Sequence, residues 1–169
     1  ATDEGGLQAR LVSLVGAAGG DVGGTERKAR PDATPSERYV WTAGEHRYSA
    51  PVMKIAERRA ALGKGPVYLY YFRWETPYDG GRLMSPHTLE IPFVFDNIST
   101  SRFTADAADA PALRDKVNAA WVAFARTGDP NTPKLPHWPA FDAVHRPTLV
   151  FANASRVVND PIREQRIAM

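Results

Sequence analysis

The feature that most constrains the fold of this chain is the run Val67-Tyr68-Leu69-Tyr70-Tyr71-Phe72, which has no polar residue at alternate positions. A strand with one face in water alternates apolar and polar side chains, whereas a strand covered on both faces does not. Gly65-Pro66 punctuates the chain just before the run, and its β-branched and aromatic content favours extended backbone. The expectation is a central strand of a mostly parallel sheet with helices on its faces. That is an α/β architecture, and 169 residues suffice for one such domain over residues 1–169.

Helical patterning surrounds this strand. From Asp109 to Thr127, Leu113, Val117, Trp121 and Phe124 recur at i, i+4, i+8 and i+11, which makes one apolar stripe. Asp109 is placed to cap this helix, Pro111 falls in its first turn and Gly128 at its end. A second helix is expected over Ser49–Leu62, with Val52, Ile55 and Ala56 on one face, Pro51 in the first turn and Gly63 closing it. Thr34 or Ser36 can cap a short helix after Pro31–Pro35. Gly16–Gly24 is the most flexible candidate, since glycine loses most entropy on ordering. Thr148–Phe151 and Ser155–Val158 read as a hairpin around Ala152-Asn153-Ala154. Asp129–Pro133 and Pro136–Pro139 read as an extended, proline-locked loop.

Between the strand and the long helix lies the chain's chemical candidate. Trp74–Pro86 holds Pro77, Gly80, Gly81 and Pro86 and is therefore a loop, carrying His87 off the strand end. Pro86 fixes its own φ and holds Ser85 extended, which stiffens the approach to His87. An imidazole held there can take or give a proton near neutral pH. The residue pattern alone favours a structural histidine, since a lone histidine beside apolar residues is more often a satisfied one. At the start of the chain, Asp3-Glu4 followed by Gly5-Gly6 puts a carboxylate on a tight turn. His46, His137 and His145 lack metal-ligand spacing and read as surface or turn residues. Arg58-Arg59 reads as a solvated face. Glu90, three residues after His87, is given no catalytic role.

Several blocks, in order, carry a resemblance to one family. They are Thr2-Asp3-Glu4-Gly5, the strand Pro66–Trp74, the histidine block His87–Phe95, Trp121–Asn131, Trp138–Phe141 and Arg156–Pro161. Together they resemble the C-terminal portion of a type B carboxylesterase, the family of para-nitrobenzyl esterases and cholinesterase-like proteins. The resemblance implies the C-terminal part of an α/β-hydrolase fold, incomplete in this chain. It also implies a Ser-His-Glu triad in the chain order nucleophile, acid, histidine. Glu4 would be the acid, since the resembled turn carries its carboxylate second in the pair, and His87 the base. No G-x-S-x-G elbow occurs in the chain, so the serine and the oxyanion hole are expected upstream of Ala1. The chain alone is then expected to be inactive, and exposed apolar surface should make it poorly soluble.

The partners this implies are a small-molecule ester and the N-terminal portion of the same protein. The chemistry requires no metal or organic cofactor. A nucleic-acid partner is not expected, because 21 basic and 19 acidic residues are balanced at a net charge of +2 and the basic residues are spread. No apolar run is long enough to span a membrane. The absence of cysteine excludes disulfides and thiolate metal sites and suits a bacterial-type member. Rival readings are a catalytically inactive cholinesterase-like binding module and an unrelated α+β binding domain. Localisation is not readable from these residues.

Overall fold

The glycine-rich stretch near the start of the chain is helical. In this computed structural model, which describes residues 2–168, Asp3 caps helix α1 (Glu4–Val15) by accepting the Gly6 N–H on Oδ1 at 2.7 Å. A Cβ at position 6 would stand 3.2 Å from that oxygen, so glycine leaves the cap room to close. Gly16, at φ +69°, ends α1, and a 3-10 turn (Gly16–Ala18) leads into α2 (Gly19–Ala29). The segment expected to be most flexible therefore has regular structure, for a packing reason. A Cβ on Gly19 would lie 2.7 Å from the Val12 backbone nitrogen, and one on Gly23 would lie 3.2 Å from Leu11 Cδ1. Spaced one turn apart, the two glycines let α2 lie directly on α1 and bury Leu7, Leu11 and Val22. Close packing offsets the helix penalty of about 1 kcal/mol per glycine.

Helix α3 (Pro35–Gly44) starts at a capping box. Thr34 Oγ1 accepts the Glu37 N–H at 3.3 Å, and Glu37 Oε2 accepts the Thr34 N–H at 2.7 Å. A π turn (Glu45–Ser49) joins α3 to α4 (Ala50–Ala61). The wider turn accommodates Pro51, which in a regular helix would clash with the carbonyl four residues back. Gly63 follows at φ +61°. The expected apolar face of this helix is corrected: Met53 and Ala56 are buried, while Val52 and Ile55 are exposed. A π turn takes an extra residue, which rotates the following face by about one position.

The chain continues through β1 (Leu69–Phe72), α5 (Ile91–Val94), α6 (Ala110–Thr127), β2 (Pro147–Phe151) and β3 (Arg156–Asn159) to α7 (Arg163–Ala168). These elements form two compact units, Ala1–Arg58 with Pro161–Met169, and Arg59–Asp160. In the first, α7 packs on α2, and α3 packs on both α1 and α2.

The second unit holds the sheet, in the order β1-β2-β3. β1 runs parallel to β2 with Leu69 opposite Thr148 and Phe72 opposite Phe151, and β2 runs antiparallel to β3 with Thr148 opposite Val158. The hairpin is where the sequence put it. The placement of β1 is a correction: among the described residues it is a half-buried edge strand of a mixed sheet, and β2 is the central, fully buried one. A parallel neighbour needs a long crossover, here carrying α6, whereas the short turn after β2 makes its other neighbour antiparallel. The core gathers Leu113, Val117 and Ala120 of α6 against Leu149 and Phe151, with Trp74, Leu89, Phe93 and Trp138. Trp121 and Phe124, expected in this core, remain 43% and 44% exposed. They pack edge-on against Tyr70 and Tyr68 at the sheet edge, at 6.2 and 6.1 Å. The buried line of α6 keeps Leu113 and Val117 of the expected stripe and is completed by small residues, Ala110 and Ala120, which a search for large apolar side chains passes over.

Two alanine substitutions separate packing from propensity in α2. Gly19→Ala forces its Cβ into the α1 backbone and is expected to destabilise the protein by about 1–3 kcal/mol. Gly24→Ala meets nothing within 4 Å and is expected to stabilise it by about 0.4–1 kcal/mol. Urea unfolding followed by helical circular dichroism reads both, and equal effects would contradict the packing account.

Candidate active site

His87 is positioned by a loop tied back to the carboxyl end of β1. The Ser85 hydroxyl donates to the Phe72 carbonyl at 3.3 Å, two residues before His87. Buried Thr76 organises the loop between: its N–H donates to the Met84 carbonyl at 2.9 Å, and its hydroxyl donates to the Phe103 carbonyl and accepts the Tyr78 N–H. Trp74, also buried, donates its indole N–H to Asp109 Oδ2 at 3.0 Å. That contact corrects the expected cap of α6, since Asp109 holds the N-cap position but makes no side-chain bond to the helix.

The turn carrying His87 is pinned on both sides of the exposed ring. Leu89 donates its N–H to the Pro86 carbonyl at 3.1 Å, and Leu89 and Phe93 are buried. Asn118 of α6 donates to the Val94 carbonyl at 2.8 Å and fixes the end of α5. His87 and Thr88 are left on the surface. Thr88 has φ +73°, and its hydroxyl bonds the His87 carbonyl. A β-branched residue in that region is strained by about 1–3 kcal/mol. Such strain concentrates where the surrounding structure holds a functional side chain in one orientation. Glu90 is half-buried beside Tyr70, whose hydroxyl is pushed up to about 12, by burial first and by the Glu90 carboxylate second.

Glu4 opens α1, and Asp3 is accounted for by the cap, which separates the two acidic candidates. Each Glu4 oxygen is held by an arginine: Oε2 lies 2.7 Å from Arg27 Nη2, and Oε1 accepts from Arg38 Nη2. Thr2 donates its N–H to Ser36 Oγ at 3.1 Å and docks this end of the chain on α3. A cleft of about 410 Å³ lies beside Glu4, lined also by Gln8, Gly20, Gly23 and Arg27. Glu4 lies in the first unit and His87 in the second.

Sequence reasoning missed a buried ionic cluster in the first unit. Glu26 and Glu45 are both buried, and Arg30 bridges them, with Nη1 on Glu26 Oε2 and Nη2 at 2.9 Å from Glu45 Oε1. The Arg30 guanidinium lies 4.6 Å from the centre of the Trp41 ring. The i,i+4 spacing of Glu26 and Arg30 was visible in the sequence, but nothing local connects them to Glu45. Two carboxylates share one guanidinium, and Glu26 Oε1 and Glu45 Oε2 have no hydrogen-bond partner among the described residues. Burial, reinforced by the Glu26 charge and opposed by Arg30, pushes the Glu45 carboxyl up to about 7. The other histidines are peripheral, with His137 and His145 exposed and His46 half-buried in the π turn. His145 Nδ1 lies 3.3 Å from Asp142.

A family model described as the carboxylesterase family matches residues 21–169. The chain is 35% identical over 118 residues to the para-nitrobenzyl esterase of Bacillus subtilis (strain 168), a match covering 66% of this chain and 23% of that protein. It is 31% identical over 150 residues to the phenmedipham hydrolase of Pseudarthrobacter oxydans, covering 85% of this chain and 30% of that one. The crystal structure of the Geobacillus stearothermophilus carboxylesterase EST55 at pH 6.2 superposes with a TM-score of 0.83 at 31% identity. That match covers 99% of this chain and 35% of the other. The chain thus spans a third or less of the length of these curated relatives.

Two measurements test the local physics. Glu45 binds its proton more tightly in the folded state than in the unfolded chain. Its contribution to stability is therefore full below pH 4.5, the ordinary value, and is lost as pH rises through about 7. Urea midpoints recorded from pH 4 to 9 should fall across that window, and Glu45→Gln should flatten the fall. At the histidine turn, Thr88→Gly relieves the positive φ and should raise stability by about 1 kcal/mol. A midpoint lowered by that substitution would contradict the strain.

Proposed function

The chain belongs to the carboxylesterase family and carries part of an α/β-hydrolase fold, and on that footing we propose that it supplies the acid and the base of a serine esterase. In this reading Glu4 and His87 are two members of a Ser-His-Glu triad, and the serine is carried by a portion of the protein outside this chain. The observation that carries the reading is the setting of His87: exposed, in a strained turn, pinned by buried Leu89 and Phe93 and tied to the carboxyl end of a strand in a parallel pair. Ligands of open α/β sheets sit at the carboxyl ends of such strands. The relatives named para-nitrobenzyl esterase and phenmedipham hydrolase support hydrolysis as the reaction class.

The steps follow from the chemistry of the groups. The serine hydroxyl attacks the ester carbonyl carbon while His87 removes its proton, and the tetrahedral intermediate is stabilised by backbone N–H groups outside this chain. His87 returns the proton to the leaving alcohol, and an acyl-serine remains. Water, deprotonated by His87, attacks the acyl carbon and releases the acid, and the proton goes back to serine. Glu4 accepts the second imidazole N–H, which fixes the tautomer and stabilises the imidazolium. An exposed histidine and an acid without a nucleophile cannot form the acyl intermediate, so the isolated chain is inert.

The test compares three proteins on p-nitrophenyl acetate: the isolated chain, the protein completed with its serine-bearing portion, and the completed His87→Ala variant. The completed protein should turn over the ester, and His87→Ala should lower kcat by about 10⁴- to 10⁶-fold. Serine-type turnover by the isolated chain, or wild-type kcat in His87→Ala, would show the reading to be wrong. A completed protein whose serine position holds another residue would make this a binding module instead.

A further inference from the structure

Arg38 occupies a position that stability alone does not explain. Its side chain is only 5% exposed, and its Nε and Nη1 find no hydrogen-bond partner among the described residues. A guanidinium buried with unused donors costs stability unless a counter-charge is held against it. The counter-charge here is Glu4 Oε1, and the other Glu4 oxygen is taken by Arg27, which is well exposed. The backbone that carries Arg38 is fixed, because its N–H donates to the Thr34 carbonyl in the first turn of α3 and its carbonyl accepts the Thr42 hydroxyl at 2.9 Å. A carboxylate presents about four lone-pair sites, and two arginine N–H groups leave the others open. Half the Glu4 side chain is exposed, so those sites are accessible.

Resting on the reading of Glu4 as the triad acid, we propose that Arg27 and Arg38 form a two-sided clamp that positions the Glu4 carboxylate for the imidazole. Glutamate has three rotatable side-chain bonds, and on the first turn of a helix nothing local selects one rotamer. The clamp fixes the carboxylate at both oxygens. Arg38 supplies the buried, stationary point, and Arg27 sets the rotation about it. Both act through Glu4 and touch no substrate.

The test uses the completed, serine-bearing protein with p-nitrophenyl acetate and reads kcat, KM and Tm for Glu4→Gln, Arg38→Gln, Arg27→Gln and the double variant Glu4→Gln/Arg38→Gln. Misplacing a catalytic group by about 1 Å costs on the order of 100-fold. Arg38→Gln should accordingly lower kcat by about 10- to 100-fold with KM within about twofold, since only transition-state geometry is lost. In the Glu4→Gln background the same substitution should cost nothing further in kcat. Arg27→Gln, at an exposed site that folding tolerates, should lower kcat severalfold at unchanged Tm, and it carries the test if Arg38→Gln does not fold. Wild-type kcat in Arg27→Gln, or an undiminished Arg38→Gln loss in the Glu4→Gln background, overturns the clamp while the triad stands. Wild-type kcat in Glu4→Gln itself removes the triad reading, and the clamp with it.

Discussion

β2 is paired on both sides and buried at all five positions, so every N–H and C=O along it must be satisfied inside the sheet. Burial of its side chains then fixes the register of both neighbours, since a slip by one residue would turn core side chains to the wrong face, and the register fixes where each neighbour ends. Phe72 stands opposite Phe151, and the Arg73 N–H still bonds the Phe151 carbonyl at 2.8 Å, so the end of β1 is defined to the residue. From that end, the Ser85 tie and the buried anchors Leu89 and Phe93 determine where a histidine two residues past Ser85 can lie. The reactive candidate thus inherits its position from a strand with no chemistry of its own.

The aromatic side chains around β2 reinforce this frame. Trp138 and Phe151 meet edge to face at 6.0 Å, Tyr70 and Phe151 at 5.5 Å, and Phe93 lies 5.0 Å from Trp74. Such contacts add about 0.5–1.5 kcal/mol each beyond area burial. Trp138 is held to the core from the proline loop by Asn131, whose amide accepts the Trp138 N–H at 2.7 Å and donates to its carbonyl at 3.0 Å. The rigid core beneath the strained surface turn supplies the stability that the turn costs.

The first unit uses a different balance. Its helices approach through glycines rather than through interlocking large side chains, and its interior holds charge: Glu26, Glu45 and Arg38 are all buried. Buried ion pairs return little net stability once desolvation is counted. Their value lies in specifying which groups face one another, and here they connect α2, α3, the π turn and the start of α1. The Glu4 carboxylate is one node of that pattern.

What the sequence determined by itself is the type and approximate extent of the regular elements. The Val67–Phe72 run, the helix ending at Gly128, the Thr34 cap and the hairpin after Phe151 all follow from periodicity, capping and turn chemistry, which act between near neighbours and so are written locally. The loop position of His87 was legible for the same reason, since prolines and glycines set the loop. Tertiary structure alone decided the rest. It put β1 at an edge, turned the face of α4 through a π turn, drew Asp109 from a helix cap to the Trp74 indole, and made helix of a glycine run. It also closed two arginines, from α2 and α3, on Glu4. Each of these depends on residues far apart in the chain, and neither hydrophobic period nor local propensity specifies which distant partner a side chain, or a bare glycine backbone, will meet.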